Sequence, residues 1–157
     1  MVASVSVSRR TVLGGVAGVA LIGLHGPAEA AVSLDLARYR GKVVYVDFWA
    51  SWCGPCKLSF PFMQSLAAKY PGGEVAVLTV NLDRQRAQAD AFLRQVRSTL
   101  PVIYDAQGDL AQTWKVADMP TSLVFDHTGK MRFRHQGFFP AKVREYQAHV
   151  AQLVGET

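Results

Sequence analysis

Cysteine is scarce: the 157 residues include two, Cys53 and Cys56. Two sulfurs cannot build the several bridges that hold small secreted domains together, so any bridge between them closes one tight local loop. Charge is sparse as well, with Asp, Glu, Lys and Arg at 18%, and the 17 basic residues are scattered. No run of them with interleaved aromatics tracks a groove, which argues against nucleic acid as a partner despite the formal net charge of +5. Long apolar runs are missing too. Val12 to Leu24 is a 13-residue stretch without a charge, and as a helix it spans about 20 Å of the ~30 Å hydrocarbon core of a membrane. Internal repeats and low-complexity tracts are absent. What remains is 50% apolar residues, enough for one domain with a core, too apolar for a disordered tail and too short for two full domains.

The N-terminus reads as an address. Ser8-Arg9-Arg10-Thr11 gives a positive start, the apolar stretch follows, and Ala28-Glu29-Ala30 has the small-residue pattern of a cleavage site. Residues 1–30 are therefore expected to be a removed signal peptide, with 31–157 as the mature domain. Removal takes two arginines and one glutamate, leaving 15 basic and 11 acidic side chains and a charge of +4. The arginine pair resembles a twin-arginine signal, although Val12 and Gly14 depart from the common pattern, so an ordinary Sec signal stays open. The expected location is the periplasm. A short uncleaved anchor facing the periplasm is the alternative.

Lys42 to Trp49 is a nearly continuous apolar, β-branched and aromatic run, as in a strand covered on both faces, with Asp47 as the anomaly. Leu58, Phe62, Leu66 and Tyr70 recur at a spacing of four and predict a helix that starts near the cysteines and ends before Pro71-Gly72-Gly73. Val75 to Leu82 predicts a second buried strand, and Arg84 to Arg97 a helix with Ala87, Ala91, Phe92 and Val96 on one face. Val102 to Tyr104 follows as a short strand and Gly108 to Val116 as a short helix. Thr121 to Phe125 and Lys130 to Phe133, joined by Asp126-His127-Thr128-Gly129, predict an antiparallel hairpin. Pro140 opens a last helix whose inner face is Val143, Tyr146, Val150 and Leu153. Strands with helical crossovers, then a hairpin and a closing helix, describe an α/β sandwich with a mixed sheet.

Cys53-Gly54-Pro55-Cys56 is placed after a strand and at a helix start. Thiol–disulfide exchange needs a thiolate that attacks and a second sulfur that expels the mixed-disulfide partner. At a helix N-terminus, free N–H groups and the positive end of the dipole favour the thiolate of Cys53, while Cys56, one turn further in, is shielded. Cys53 is thus the expected nucleophile and Cys56 the resolving residue. A zinc site lacks its second pair of ligands, since His127, His135 and His149 read as isolated, and a purely structural bridge over so short a loop would add little stability.

Val46 to Lys57, reading Val-Asp-Phe-Trp-Ala-Ser-Trp-Cys-Gly-Pro-Cys-Lys, resembles the active-site segment of thioredoxin. Met119-Pro120-Thr121 is similar to the cis-proline loop of that superfamily. With the signal sequence, Gly41-Lys42-Val43-Val44 before the first strand and the extra segment Val75 to Arg97, the chain looks most like the exported TlpA/ResA-like branch, from about Leu34 to Val154. The resemblance implies a thioredoxin-like three-layer sandwich, a mixed central sheet flanked by helices. It implies that Pro120 is cis beside the two sulfurs, that the Met119 backbone pairs with a bound substrate strand, and that Trp52, Gly54, Pro55 and Thr121 help to hold substrate. It makes Asp47 the buried acid that helps move the proton of Cys56, since burial raises a carboxyl group toward the range useful for acid–base work. No cofactor is expected beyond the redox-active disulfide, and no metal.

Three positions depart from the relatives. Asp47 stands where TlpA-like proteins usually have Asn, Ser59 where they have Glu, and Thr79 where thioredoxin has a lysine near its acid. Trp49 is expected in the core and Pro61 matches the superfamily's helix-kinking proline. The expected activity is that of a thiol:disulfide oxidoreductase working as a reductant, because the Gly-Pro dipeptide is thioredoxin's, associated with about −270 mV, against about −120 mV for DsbA. Expected partners are disulfides of client proteins such as apocytochrome c or copper-centre assembly proteins, and a membrane electron donor of the CcdA/DsbD type; the protein is expected to be a monomer. Two alternatives stay open: a disulfide oxidase or isomerase, and a Cu(I) metallochaperone, with Met119 near the two soft sulfurs.

Overall fold

The computed structural model describes residues 33–156, so the signal-peptide reading of residues 1–30 lies outside the described residues. The first long element is β1 (Val43–Trp49), buried at all seven positions. It leads through a short loop into α1 (Gly54–Lys69). Then come β2 (Val75–Asn81), α2 (Arg86–Val96), β3 (Val102–Tyr104), α3 (Asp109–Thr113), β4 (Thr121–Phe125), β5 (Met131–Gln136) and α4 (Val143–Gly155). The strands form one sheet in the order β3-β2-β1-β4-β5. β1 and β2, and β2 and β3, pair parallel; β4 runs antiparallel to both β1 and β5.

The period of two along β1 decides the layers. Val43, Tyr45 and Trp49 pack into one core with Phe60, Met63 and Leu66 of α1, Phe92 of α2, and Tyr146, Val150 and Leu153 of α4. Val44, Val46 and Phe48 pack into a second core with Leu110 and Ala111 of α3, together with Leu36 and Tyr39 of a short 3-10 turn before β1. This is the α/β three-layer sandwich with a mixed sheet that the sequence predicts. Trp49, Phe60 and Phe92 form an aromatic triangle with ring centroids 4.9–5.3 Å apart under the end of β1. Each such fully buried side chain contributes roughly 1.5–3 kcal/mol, which makes this end of the strand a firm platform.

Two predicted helix faces are displaced in part: Phe62 and Leu66 are buried and Tyr70 packs against the core as expected. Leu58 is 56% exposed, and the buried side of α1 is Cys56, Ser59, Phe60, Phe62, Met63 and Leu66. A strict spacing of four drifts around a helix of 3.6 residues per turn, so a stripe counted that way leaves the core. On α2, Phe92 is buried and Val96 packs against the core as expected, but Ala89 is buried in place of Ala87 and Ala91, which face solvent. The last helix is preceded by a 3-10 turn, Pro140–Lys142, which takes the proline at its first position. Pro61 sits inside α1 without ending it.

Candidate active site

The loop from β1 to α1 is tied down on both sides. Trp49 C=O accepts the Leu82 N–H at 2.9 Å, and Ala50 C=O accepts the Cys53 N–H at 3.1 Å. Between them, both carboxylate oxygens of Asp83 accept the Ser51 N–H, at 2.9 and 3.2 Å, and the Ser51 hydroxyl donates to Oδ1 at 2.9 Å. The Asn81 amide donates to Asp83 Oδ2 at 2.8 Å and its oxygen accepts the Asp83 N–H at 3.1 Å. The end of β2 thus fixes the segment that carries Trp52 and Cys53.

Cys53 is the N-cap of α1, and its Sγ accepts the Cys56 N–H at 3.2 Å. The two sulfurs are joined, with the Cα atoms 5.3 Å apart. Cys53 is 6% exposed and Cys56 0%, so the only solvent opening of the pair lies at Cys53. Gly54 and Pro55 are exposed at the first turn of the helix, and Trp52 stands 72% exposed beside them. The Met119–Pro120 bond is cis. Thr121 is paired with Phe48 across β1 and β4, which brings this loop to the same end of the sheet as the cysteine loop. Met119 is half-buried and packs against the core cluster that contains both cysteines. Pro120 C=O accepts the Gly137 N–H at 2.8 Å. Thr121 is fully buried and its hydroxyl donates to Asp118 C=O at 2.6 Å, so its side chain serves the loop rather than the surface.

Asp47 is completely buried. Ser122 Oγ donates to its Oδ1 at 2.6 Å and Ser59 Oγ reaches its Oδ2 at 3.4 Å. Burial pushes the carboxyl up to about 7, against the two serine hydroxyls, which pull it down. Among the described residues no lysine acts on it: Thr79, paired with Asp47 in the register of β1 and β2, donates its hydroxyl to Pro101 C=O at 3.0 Å. Ser59 donates to Cys56 C=O at 2.9 Å and so ties the acid's surroundings to the turn that holds Cys56. The tyrosine Tyr45 donates to Ser122 Oγ at 2.7 Å, and burial holds its phenol well above the ordinary value.

Sequence reasoning missed Ser51, Asn81 and Asp83, and it missed Tyr45 and Ser122. An Asp two residues after an Asn at a strand end was the available signal for the first group. The histidines need a correction. His135 and His149, read as isolated, face each other with Nε2 and Nδ1 2.9 Å apart. They come together because α4 packs over the sheet face that carries Phe133 and His135 of β5, a contact between elements that spacing along the chain does not display. Burial pushes His135 down to about 4, helped by His149.

A family model described as Redoxin matches residues 19–150. The chain belongs to the Redoxin family. Among curated relatives of this Redoxin chain, the thiol-disulfide oxidoreductase ResA of Oceanobacillus iheyensis is 34% identical over 105 residues, which is 67% of this chain and 55% of that protein. The chain thus spans little more than half the length of the curated relatives it matches first. A Chlorobium tepidum structure with the provisional name thiol:disulfide interchange protein DsbE is 40% identical with a TM-score of 0.73, covering 76% of this chain and 84% of that one. The pneumococcal exposed lipoprotein thioredoxin from Streptococcus pneumoniae is 32% identical with a TM-score of 0.62, covering 75% and 90%.

Proposed function

We propose that this chain is a thiol:disulfide oxidoreductase that reduces disulfides of client proteins. The observation that carries the reading is the joined pair at the start of α1, with the opening on Cys53 and none on Cys56. Once the pair is reduced, the Cys56 N–H that now meets Cys53 Sγ, with the helix dipole, stabilises a thiolate at that position. Relatives named thiol-disulfide oxidoreductase support the same reading.

The reaction runs in two displacements. The Cys53 thiolate attacks one sulfur of a client disulfide; a Cys53–client bond forms and the other client sulfur leaves with the electron pair and takes up a proton. Cys56 then gives its proton to Asp47 and attacks Cys53 Sγ. The Cys53–Cys56 bond forms, the second client thiolate leaves and is protonated, and the client has gained two electrons and two protons. The client chain lies against Trp52, Gly54, Pro55 and the Met119 backbone. Asp47 serves as the base because burial brings it near neutrality while Ser59 links it to the Cys56 turn.

The thioredoxin-like Gly54-Pro55 dipeptide favours the reducing direction, at a potential nearer to about −270 mV than to about −120 mV. The protein acts after export, in the periplasm, as a monomer, and a membrane donor of the CcdA/DsbD type re-reduces it. Apocytochrome c or copper-centre assembly proteins are the clients this reading favours. Two variants test it. Cys53→Ser abolishes reduction of a model disulfide, and a wild-type rate in that variant overturns the assignment. Cys56→Ser accumulates a mixed disulfide at Cys53, and failure to recover one counts against the scheme.

A further inference from the structure

Asp47 has two oxygens in different circumstances. Oδ1 receives the short bond from Ser122, whose own oxygen receives the Tyr45 hydroxyl, so both donors point toward the carboxyl group. Oδ2 has only the Ser59 hydroxyl at 3.4 Å, and that hydroxyl lies closer to Cys56 C=O, at 2.9 Å. A carboxylate oxygen accepts about two hydrogen bonds, so each oxygen keeps some capacity; Oδ1 is engaged by a short bond, whereas Oδ2, with one long bond, is the less engaged of the two and lies toward the Cys56 turn through Ser59. The strand register builds this asymmetry. Ser122 stands directly across from Asp47 on β4, and Tyr45 lies two residues before Asp47 on β1, hence on the same face of the sheet.

We propose that Ser122, backed by Tyr45, is a positioning residue that occupies Asp47 Oδ1 and reserves Oδ2 as the oxygen that takes the Cys56 proton. This rests on the reading of Asp47 as the base of the resolving step. The step balances: the proton moves from Cys56 Sγ to Asp47 Oδ2, the Cys56–Cys53 bond forms, and the client sulfur leaves with the electron pair of the broken bond. Among the described residues, two hydroxyls, those of Ser122 and Ser59, hold the acid.

Other titratable groups face this site. They are Tyr45 on β1, Cys53 at the N-cap of α1 and Cys56 within it, His135 on β5 across from Ser122, and Tyr146 on α4 against the His135 ring. β2 contributes Thr79, which does not titrate. Burial holds His135 down at about 4 and Tyr45 far above neutrality, so neither changes charge between pH 6 and 9.

The experiment titrates the carbon-13-labelled Asp47 carboxyl by NMR and, in parallel, follows release of a chromophoric aromatic thiol from its mixed disulfide with Cys53 as a function of pH. Ser122→Ala raises the Asp47 midpoint by about one pH unit and slows release about fivefold at pH 7, with the difference closing at alkaline pH. Ser122→Thr restores both. Tyr45→Phe shifts both in the same direction by less, and keeps the test open if Ser122→Ala does not fold. A Ser122→Ala midpoint that stays or falls overturns the proposal, as does an unchanged Tyr45→Phe when only that variant folds. Asp47→Asn separates the two levels. If it slows release while Ser122→Ala leaves the midpoint in place, the positioning role alone is wrong; if it releases thiol at the wild-type rate, the base assignment falls and the positioning role with it.

Discussion

Two buried aspartates flank the cysteine loop, and they are put to opposite uses. Asp83, 3% exposed, receives the N–H and hydroxyl of Ser51 and the amide of Asn81. Asp47, 0% exposed, receives one short hydroxyl bond and one long one. Burial is nearly equal, so the two acids differ in their hydrogen-bond partners rather than in their access to solvent. The hydrogen bonding differs: Asp83 takes four contacts from Ser51 and Asn81 and anchors the loop, whereas Asp47 has one short and one long bond and is pushed up to about 7 by the cost of burying its charge. Asp126 in the β4–β5 turn shows what many donors do to a carboxyl group. Burial pushes it up, but Thr128, through hydroxyl and N–H, together with the Lys130 N–H and the Arg132 guanidinium, outweighs this and holds it at about 2.

The contrast is sharpest in stability. Asp83→Ala strands the Ser51 N–H and the Asn81 amide, and is expected to cost on the order of 3 kcal/mol in urea unfolding; a loss under ~1 kcal/mol would show that the clamp is dispensable. Asp47→Asn has the opposite sign. Between about pH 4 and 7 the unfolded chain ionises Asp47 while the folded chain keeps its proton, so wild-type stability falls as pH rises through that window. Asn removes this loss, and the variant is expected to be more stable than wild type at pH 8 by roughly 2 kcal/mol, with no advantage below pH 4. Destabilisation at pH 8 would break the comparison. The smallest effect belongs to Ser51→Ala, which deletes one of several donors to Asp83 and is expected to cost about 1 kcal/mol.

Much of this was legible in the residues. The run Lys42 to Trp49 with one acid in it marked both β1 and Asp47, and the Cys-Gly-Pro-Cys segment after it marked the start of α1. Met119-Pro120-Thr121 marked the second loop, though the inward turn of Thr121 was hidden because a threonine at the first position of a strand reads alike on either face. The hydroxyl pair escaped because Tyr45 and Ser122 are 77 residues apart and meet only through the register of β1 with β4. Asp83 escaped because Asn-Leu-Asp at a strand end looks like any solvated turn. The faces of α1 and α2 were misplaced where small and apolar residues fall on both sides of the helix, as Leu58 and Ala87 do.

The redox standing of the cysteine pair is the most direct test. Equilibration against defined ratios of reduced to oxidised glutathione, followed by acid quenching, alkylation and mass analysis, gives its potential and the order in which the sulfurs react. The expected result is reversible cycling of both sulfurs together below about −200 mV, with Cys53 alkylated first in the reduced protein. A bond that never opens, or a reduced pair in which Cys56 reacts ahead of Cys53, would contradict the account.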